Sequence, residues 1–165
     1  MTAKESAIPI DFPLIWGSSI YTPTVISDGS KLLLVSNFYS IAQNYDKSTL
    51  KVFGDENALS NGVNVIIEFL GWVDFKSGKI GEDFIGHPDY IPSLRSYKTY
   101  EVINSGWLRN LKQIMTPTGP SFSKSRHFVL GFHDTRFECI ANGYYIRAYP
   151  LAENVFEIAY NLISH

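Results

Sequence analysis

Only one cysteine, Cys139, occurs in the 165 residues. An intramolecular disulfide is therefore excluded, and the fold must rest on apolar burial and backbone hydrogen bonding. Long apolar runs are also missing. No segment reaches the roughly 18 residues that a membrane-spanning helix requires, and Met1 to Asp11 has no basic start followed by an apolar stretch, so no signal peptide is expected. Positive charge is not in excess: Lys and Arg number 14 against 16 Asp and Glu, a net charge of −2. This balance argues against a dedicated nucleic-acid binder, which presents a basic face.

Chemical motifs are equally sparse. There is no cysteine pair and no H-E-x-x-H spacing to hold a metal. No G-x-S-x-G elbow presents a nucleophile, and Gly29, Gly54 and Gly62 form no phosphate-binding pattern. The expectation is a soluble, cytoplasmic protein with no metal and no cofactor.

Phe and Tyr, by contrast, are abundant, at 11 and 10. They favour strands and carry much apolar area each. A chain of this length is one domain by size, spanning 1–165, and buries a core without staples.

Along the chain, Thr22 to Ile26 and Lys31 to Phe38 read as strands joined through the turn signal Asp28-Gly29-Ser30. Leu50 to Phe53 reads as a strand, and Gly54 to Asn61 as a polar loop or short helical turn. Val63 to Phe75 alternates throughout, with Val63, Val65, Ile67, Phe69, Gly71, Val73 and Phe75 on one face. Such a strand would reach about 43 Å, well beyond the usual length, so a bend is expected near Gly71. Lys76-Ser77-Gly78-Lys79 is then expected to turn the chain back. Tyr97 to Asn104 reads as a strand. Ser105 reads as the N-cap of a helix with the stripe Trp107, Leu108, Leu111, Ile114 and Met115, ended by Pro117 and Pro120. Tyr144 to Tyr149 reads as a strand, and residues 151–163 fit either a helix or a strand. The fold class expected is α+β, mostly antiparallel sheet, with two helices of the C-terminal half on one face.

The most informative stretch is His127 to Ala141. A hairpin centred on Asp134-Thr135 opposes Phe132 to Phe137, Leu130 to Cys139 and Phe128 to Ala141, all apolar. The other face then carries His133 opposite Arg136, Gly131 opposite Glu138, Val129 opposite Ile140 and His127 opposite Asn142. Slipping by one residue mixes the faces, which a half-buried hairpin does not tolerate. On this register Cys139 faces the core as a reduced thiol, and Gly131 leaves room above the backbone.

Candidate sites follow. Glu138 lies near both His133 and Arg136, and a carboxylate beside an imidazole suits acid–base work. Asp134 at the turn has the same capacity. His87, in the Gly86-His87-Pro88-Asp89-Tyr90 turn, joins them if the fold brings it close. His133, Glu138, Asp134 and His87 are thus the catalytic candidates, beside the plainer reading of a solvated hairpin face. His127 and His133 share a face but stand about 20 Å apart as strand residues, too far to ligate one ion. Arg136, Trp107, Arg109 and His127 are the binding candidates. Arg109, Lys112, Lys124 and Arg126 form a modest basic region near Trp107 and Phe122, thin support for a nucleic-acid face.

Two blocks, Gly86-His87-Pro88 with Tyr100 to Trp107, and His127 to Ala141, resemble a group of small bacterial proteins of unknown function. The likeness spans about residues 60–141. It implies a bacterial, cytosolic protein and brings no reaction, ligand or catalytic residue. Arg136 departs from the group's pattern, which has a small hydroxyl residue there.

The expectation is therefore a non-catalytic binding or interaction module, its partner another protein, since aromatics are enriched at interfaces. The alternative is a small hydrolase using His/Glu acid–base chemistry, and a third is a small-ligand carrier.

Overall fold

The computed structural model describes residues 3–17, 22–38, 40–79, 94–115 and 122–165. His87 with its turn, and Pro117 and Pro120, lie outside the described residues. The chain forms two compact units: Met1–Ile10 with Gly71–Gly143, and Asp11–Leu70 with Tyr144–His165. It passes between them after Ile10, Leu70 and Gly143.

The first unit is built on a five-stranded antiparallel sheet in the order β1, β9, β10, β11, β8. These strands are β1 (Ser6–Pro9), β8 (Asp74–Lys79), β9 (Lys98–Ile103), β10 (Arg126–Gly131) and β11 (Thr135–Ala141). One face is closed by Phe128, Leu130, Phe137, Cys139 and Ala141, all essentially without exposure. The opposite face carries His127, Val129, Gly131, Arg136 and Glu138. Helix α1 (Gly106–Met115) packs there, with the Trp107 ring edge-on to His127 at 5.1 Å.

The second unit holds another five-stranded sheet, in the order β3, β4, β7, β12, β6. Its strands are β3 (Thr24–Ser27), β4 (Leu32–Phe38), β6 (Leu50–Val52), β7 (Val63–Leu70) and β12 (Gly143–Pro150), and β6 pairs in parallel with β12. The short pair β2 (Leu14–Ile15) and β5 (Ser40–Ile41) completes the unit's strands among the described residues. Within residues 151–163, which fit either state, the helix α2 (Val155–Ile163) forms after a turn and buries Val155 and Ala159 against Leu33, Val35, Ile66 and Tyr149. Asn154 caps it by accepting from the Glu157 N–H. Each helix thus covers a face of its own sheet, and the molecule is an α+β protein dominated by antiparallel sheet. Neither helix is long and apolar enough to cross a membrane.

Two expectations are corrected. The Lys76 to Lys79 stretch does not reverse the chain. It is the second half of β8, paired with β11 from Thr135 opposite Lys79 to Ile140 opposite Asp74. An exposed edge strand tolerates such polar residues, and lysines there discourage further strand pairing. The bend expected near Gly71 is present: Gly71 has φ +55°, and there β7 ends and the chain leaves its sheet for the other. A Cβ at Gly71 would sit 2.3 Å from Asn142 Nδ2, so glycine is needed for space as well as for conformation.

The second correction is the hairpin register. Phe128 opposes Cys139, Leu130 opposes Phe137 and Gly131 opposes Arg136. The Phe132 N–H donates to the Thr135 carbonyl at 2.8 Å, leaving His133 and Asp134 as the turn. This differs by two residues from the pairing expected for a turn at Asp134-Thr135. A shift of two preserves which side chains share a face, so the apolar pattern accommodates both registers equally. Turn chemistry selects between them, and the alternation does not report it.

Candidate functional site: a buried relay beside an open cleft

The corrected register rebuilds the polar face. His127 now opposes Ile140, which makes Glu138 its diagonal neighbour across the hairpin. The two meet, with His127 Nε2 2.9 Å from Glu138 Oε2. Arg136, two residues before Glu138 on the same face, brings Nε to 2.6 Å from Glu138 Oε1. On its other side, His127 Nδ1 lies 2.9 Å from Ser105 Oγ. Ser105 is the helix cap expected, accepting the Leu108 N–H at 3.1 Å.

These contacts form one hydrogen-bonded chain. Leu108 N–H donates to Ser105 Oγ, the Ser105 hydroxyl and His127 Nδ1 share a hydrogen bond, and His127 Nε2 shares another with the Glu138 carboxylate. Both ring nitrogens of His127 thus have a partner, which fixes the orientation of the imidazole. Glu138 takes the guanidinium of Arg136 on its remaining oxygen, a charge-assisted contact. Ser105, His127 and Glu138 are 4%, 1% and 2% exposed.

The edge of the relay is also tied down. Trp107 donates from Nε1 to Asp74 Oδ2 at 3.2 Å, while Lys76 Nζ lies 4.0 Å from the centre of its ring. Glu5 accepts the Gly106 N–H, placing a carboxylate at the positive end of α1. Cys139, on the opposite face, has its thiol pKa pushed well up by burial, with the Asp74 carboxylate adding to the effect. It is a closed, reduced thiol, not a nucleophile.

The other candidate residues are placed elsewhere. His133 is exposed at the turn and pairs with Asp134, Nδ1 to Oδ1 at 2.6 Å, rather than with Glu138. A loop position on the two-residue turn removes it from the row of Arg136 and Glu138. Arg109 donates to the Asn104 carbonyl at the start of α1. Arg126 is paired with Glu101 and lies against Phe128 at 4.9 Å, so it is not an unattached basic patch. Among the described residues, no three His, Cys, Asp or Glu side chains converge as metal ligands.

Beside the relay lies a cleft of about 340 Å³. Leu94, Tyr100 and Val129 form its apolar part, and Arg95, Ser96, His133, Asp134 and Arg136 its polar rim. The room expected above Gly131 is not open space. The Arg95 carbonyl comes within 2.9 Å of where a Cβ would sit, and the Tyr97 N–H donates to the Gly131 carbonyl at 2.7 Å. Tyr97 adopts φ +62° to make this turn, and the Tyr100 hydroxyl accepts from the Arg95 N–H at 2.9 Å. The bare backbone of Gly131 therefore anchors the cleft wall.

Of the relay, sequence reasoning identified Glu138 and Ser105, each in a separate role, and named His127 only as a binding residue. The signal that could have joined them is the diagonal spacing of His127 and Glu138, which appears once the turn is centred on His133-Asp134. Comparison of the chain with family profiles, with curated proteins and with solved structures gives no match.

Proposed function

We propose that the chain is a non-catalytic binding module, with the cleft beside the hairpin turn as its ligand site. The observation that carries this reading is the division of labour on one sheet face. The connected Ser105, His127 and Glu138 set is sealed from solvent, whereas the adjoining cleft joins an apolar floor of Leu94, Tyr100 and Val129 to polar groups that include the exposed His133–Asp134 pair, as ligand sites do.

The hydrolase alternative draws on the same relay, since Ser105, His127 and Glu138 are connected in the order of a nucleophile, its base and an orienting carboxylate. Against it stands the position of Ser105 Oγ. It is buried, and it already accepts the Leu108 N–H as a helix cap. An attacking oxygen must reach a substrate carbonyl, which this one does not do without unwinding the first turn of α1. We therefore read the relay as the element that holds helix, hairpin and Arg136 in place.

A cytosolic, bacterial protein belongs to the same proposal, as does a protein segment as the ligand. The reduced, buried Cys139 suits a reducing compartment.

The test is amide chemical-shift mapping of the full chain with benzoate and benzyl alcohol, run beside a p-nitrophenyl acetate hydrolysis assay. Saturable shifts at Tyr100, Val129 and Gly131 with no turnover support the binding reading. Turnover above background that disappears in Ser105→Ala would replace it with the hydrolase.

A further inference from the structure

A cavity of about 490 Å³ in the second unit has a lining unlike that of the cleft above. Phe12, Tyr45 and Tyr144 contribute aromatic rings, Asp11 and Asp46 contribute carboxylates, and Thr49 a hydroxyl. Among the described residues, no Lys or Arg lines it. We infer that this cavity is a site for a small organic cation, an alkylated ammonium held between aromatic faces and two carboxylates.

Three features carry the inference. First, the charge is one-sided. Asp46 accepts the Ser48 N–H and hydroxyl, both at 2.8 Å, so it stays ionised to unusually low pH. Each of its oxygens keeps lone-pair capacity beyond these bonds. Two carboxylates without a cation raise the local concentration of positive ligands.

Second, the aromatic wall is fixed in place. Phe12 packs against Tyr144 at 5.4 Å and Trp16 at 6.3 Å between ring centres, and Trp16 packs on Phe38 at 4.6 Å. Aromatic faces carry negative charge density and attract ammonium groups, most strongly when the cation sheds water easily, as alkylated ammonium does.

Third, the cavity is held by backbone bonds from several segments. The Ala42 N–H donates to the Pro13 carbonyl at 2.8 Å, the Thr49 N–H to the Asp46 carbonyl at 3.0 Å, and the Ile146 N–H to the Thr49 carbonyl at 2.8 Å. The lining is thus organised before a ligand arrives, which lowers the ordering cost of binding. Neutral polyols also meet rings and carboxylates in such cavities, but the absence of any balancing cation in this lining favours a charged occupant.

The experiment titrates the full chain with choline and with 3,3-dimethyl-1-butanol, its uncharged isostere, followed by amide shifts and calorimetry. Glucose serves as the polyol probe. Choline is expected to saturate shifts at Phe12, Tyr45 and Tyr144, with the isostere about fivefold weaker, the size of a solvent-exposed cation–π contact. Asp11→Asn and Tyr45→Leu should each weaken choline by about twofold or more, while Tyr45→Phe, which keeps the ring, should not. The unchanged amide spectrum of Tyr45→Phe shows that the cavity survives substitution. Equal affinity for choline and its isostere, stronger binding of glucose, undiminished affinity in Asp11→Asn, or no saturable shift at the cavity overturns the inference.

Discussion

His127 and Glu138 meet as diagonal neighbours across one hairpin, imidazole Nε2 to carboxylate Oε2 at 2.9 Å, with both side chains closed off from solvent. The pair links the sheet to α1 through Ser105 and to Arg136 through the second carboxylate oxygen. Removing one member of such a buried set leaves the others without partners in a medium that solvates them poorly. Glu138→Ala should therefore destabilise the protein by about 3–5 kcal/mol, measured by urea unfolding. A loss under about 1 kcal/mol would mean that the charges are resolvated in the variant and that the relay does not hold the unit.

Ser105 serves two partners with one hydroxyl. Ser105→Ala should cost about 1–2 kcal/mol, with amide exchange accelerated first at Leu108. Ser105→Thr keeps the hydroxyl and should retain most of the protection. Equal exchange in both variants would separate the cap from the relay.

Gly131→Ala tests the cleft wall. The new methyl meets backbone, not a flexible side chain, at 2.9 Å from the Arg95 carbonyl. The Arg95 to Tyr97 turn must shift, at a cost of about 1–3 kcal/mol, and the Tyr97 N–H bond to Gly131 should weaken. Amide shifts confined to the mutated residue, with parent stability, would contradict the close approach.

Asp28 links the turn between β3 and β4 to pH. Its carboxylate accepts the Lys31 and Ser30 N–H groups, both at 2.8 Å, and the Ser30 hydroxyl at 3.0 Å, and these bonds hold its pKa below the ordinary value of 3.8. A depressed folded pKa contributes stability that is complete above the unfolded pKa and is lost as pH falls through the folded one. The wild-type protein should thus lose this contribution below about pH 4, and Asp28→Asn should flatten that part of the acid limb. Urea midpoints at pH 7 and pH 3 provide the comparison. An identical drop in both proteins would assign the acid sensitivity elsewhere.

Cys139 should be silent to thiol reagents in the native state, because it is buried and its thiolate is strongly disfavoured. Labelling with dithionitrobenzoate should follow the unfolding curve in urea. Rapid labelling without denaturant would show that the sheet face opens readily.

The sequence carried the alternation and therefore the faces. Phe128, Leu130, Phe137 and Cys139 belong together in either hairpin register, so the core face was legible. Which residues stand directly opposite was not, because a two-residue shift leaves the alternation unchanged. That one ambiguity moved the histidine partner of Glu138 from His133 to His127. The break at Gly71 was legible from strand length and glycine, and the Asp28 turn from its residue types. The fate of Lys76 to Lys79 was not, since a polar edge strand and a polar turn have similar composition. The cavity around Phe12 and Tyr144 joins distant segments, and no local pattern announces such a meeting.

Strand β1 gives the chain a particular order of assembly. Ser6 pairs with Ile103 and Pro9 with Tyr100, so β1 waits during synthesis for β9 before its sheet neighbour exists. The second unit waits longer still, because β6 closes on β12 near the other end. Neither sheet can be completed by a growing chain in sequence order, and bringing such remote partners together slows folding. An excised Gly71–Gly143 fragment would lack β1 and expose the flank of β9 to other strands. The interleaving thus makes the two units partners in synthesis: each is threaded through the other's sequence, and neither can be inherited, duplicated or expressed as an uninterrupted cassette.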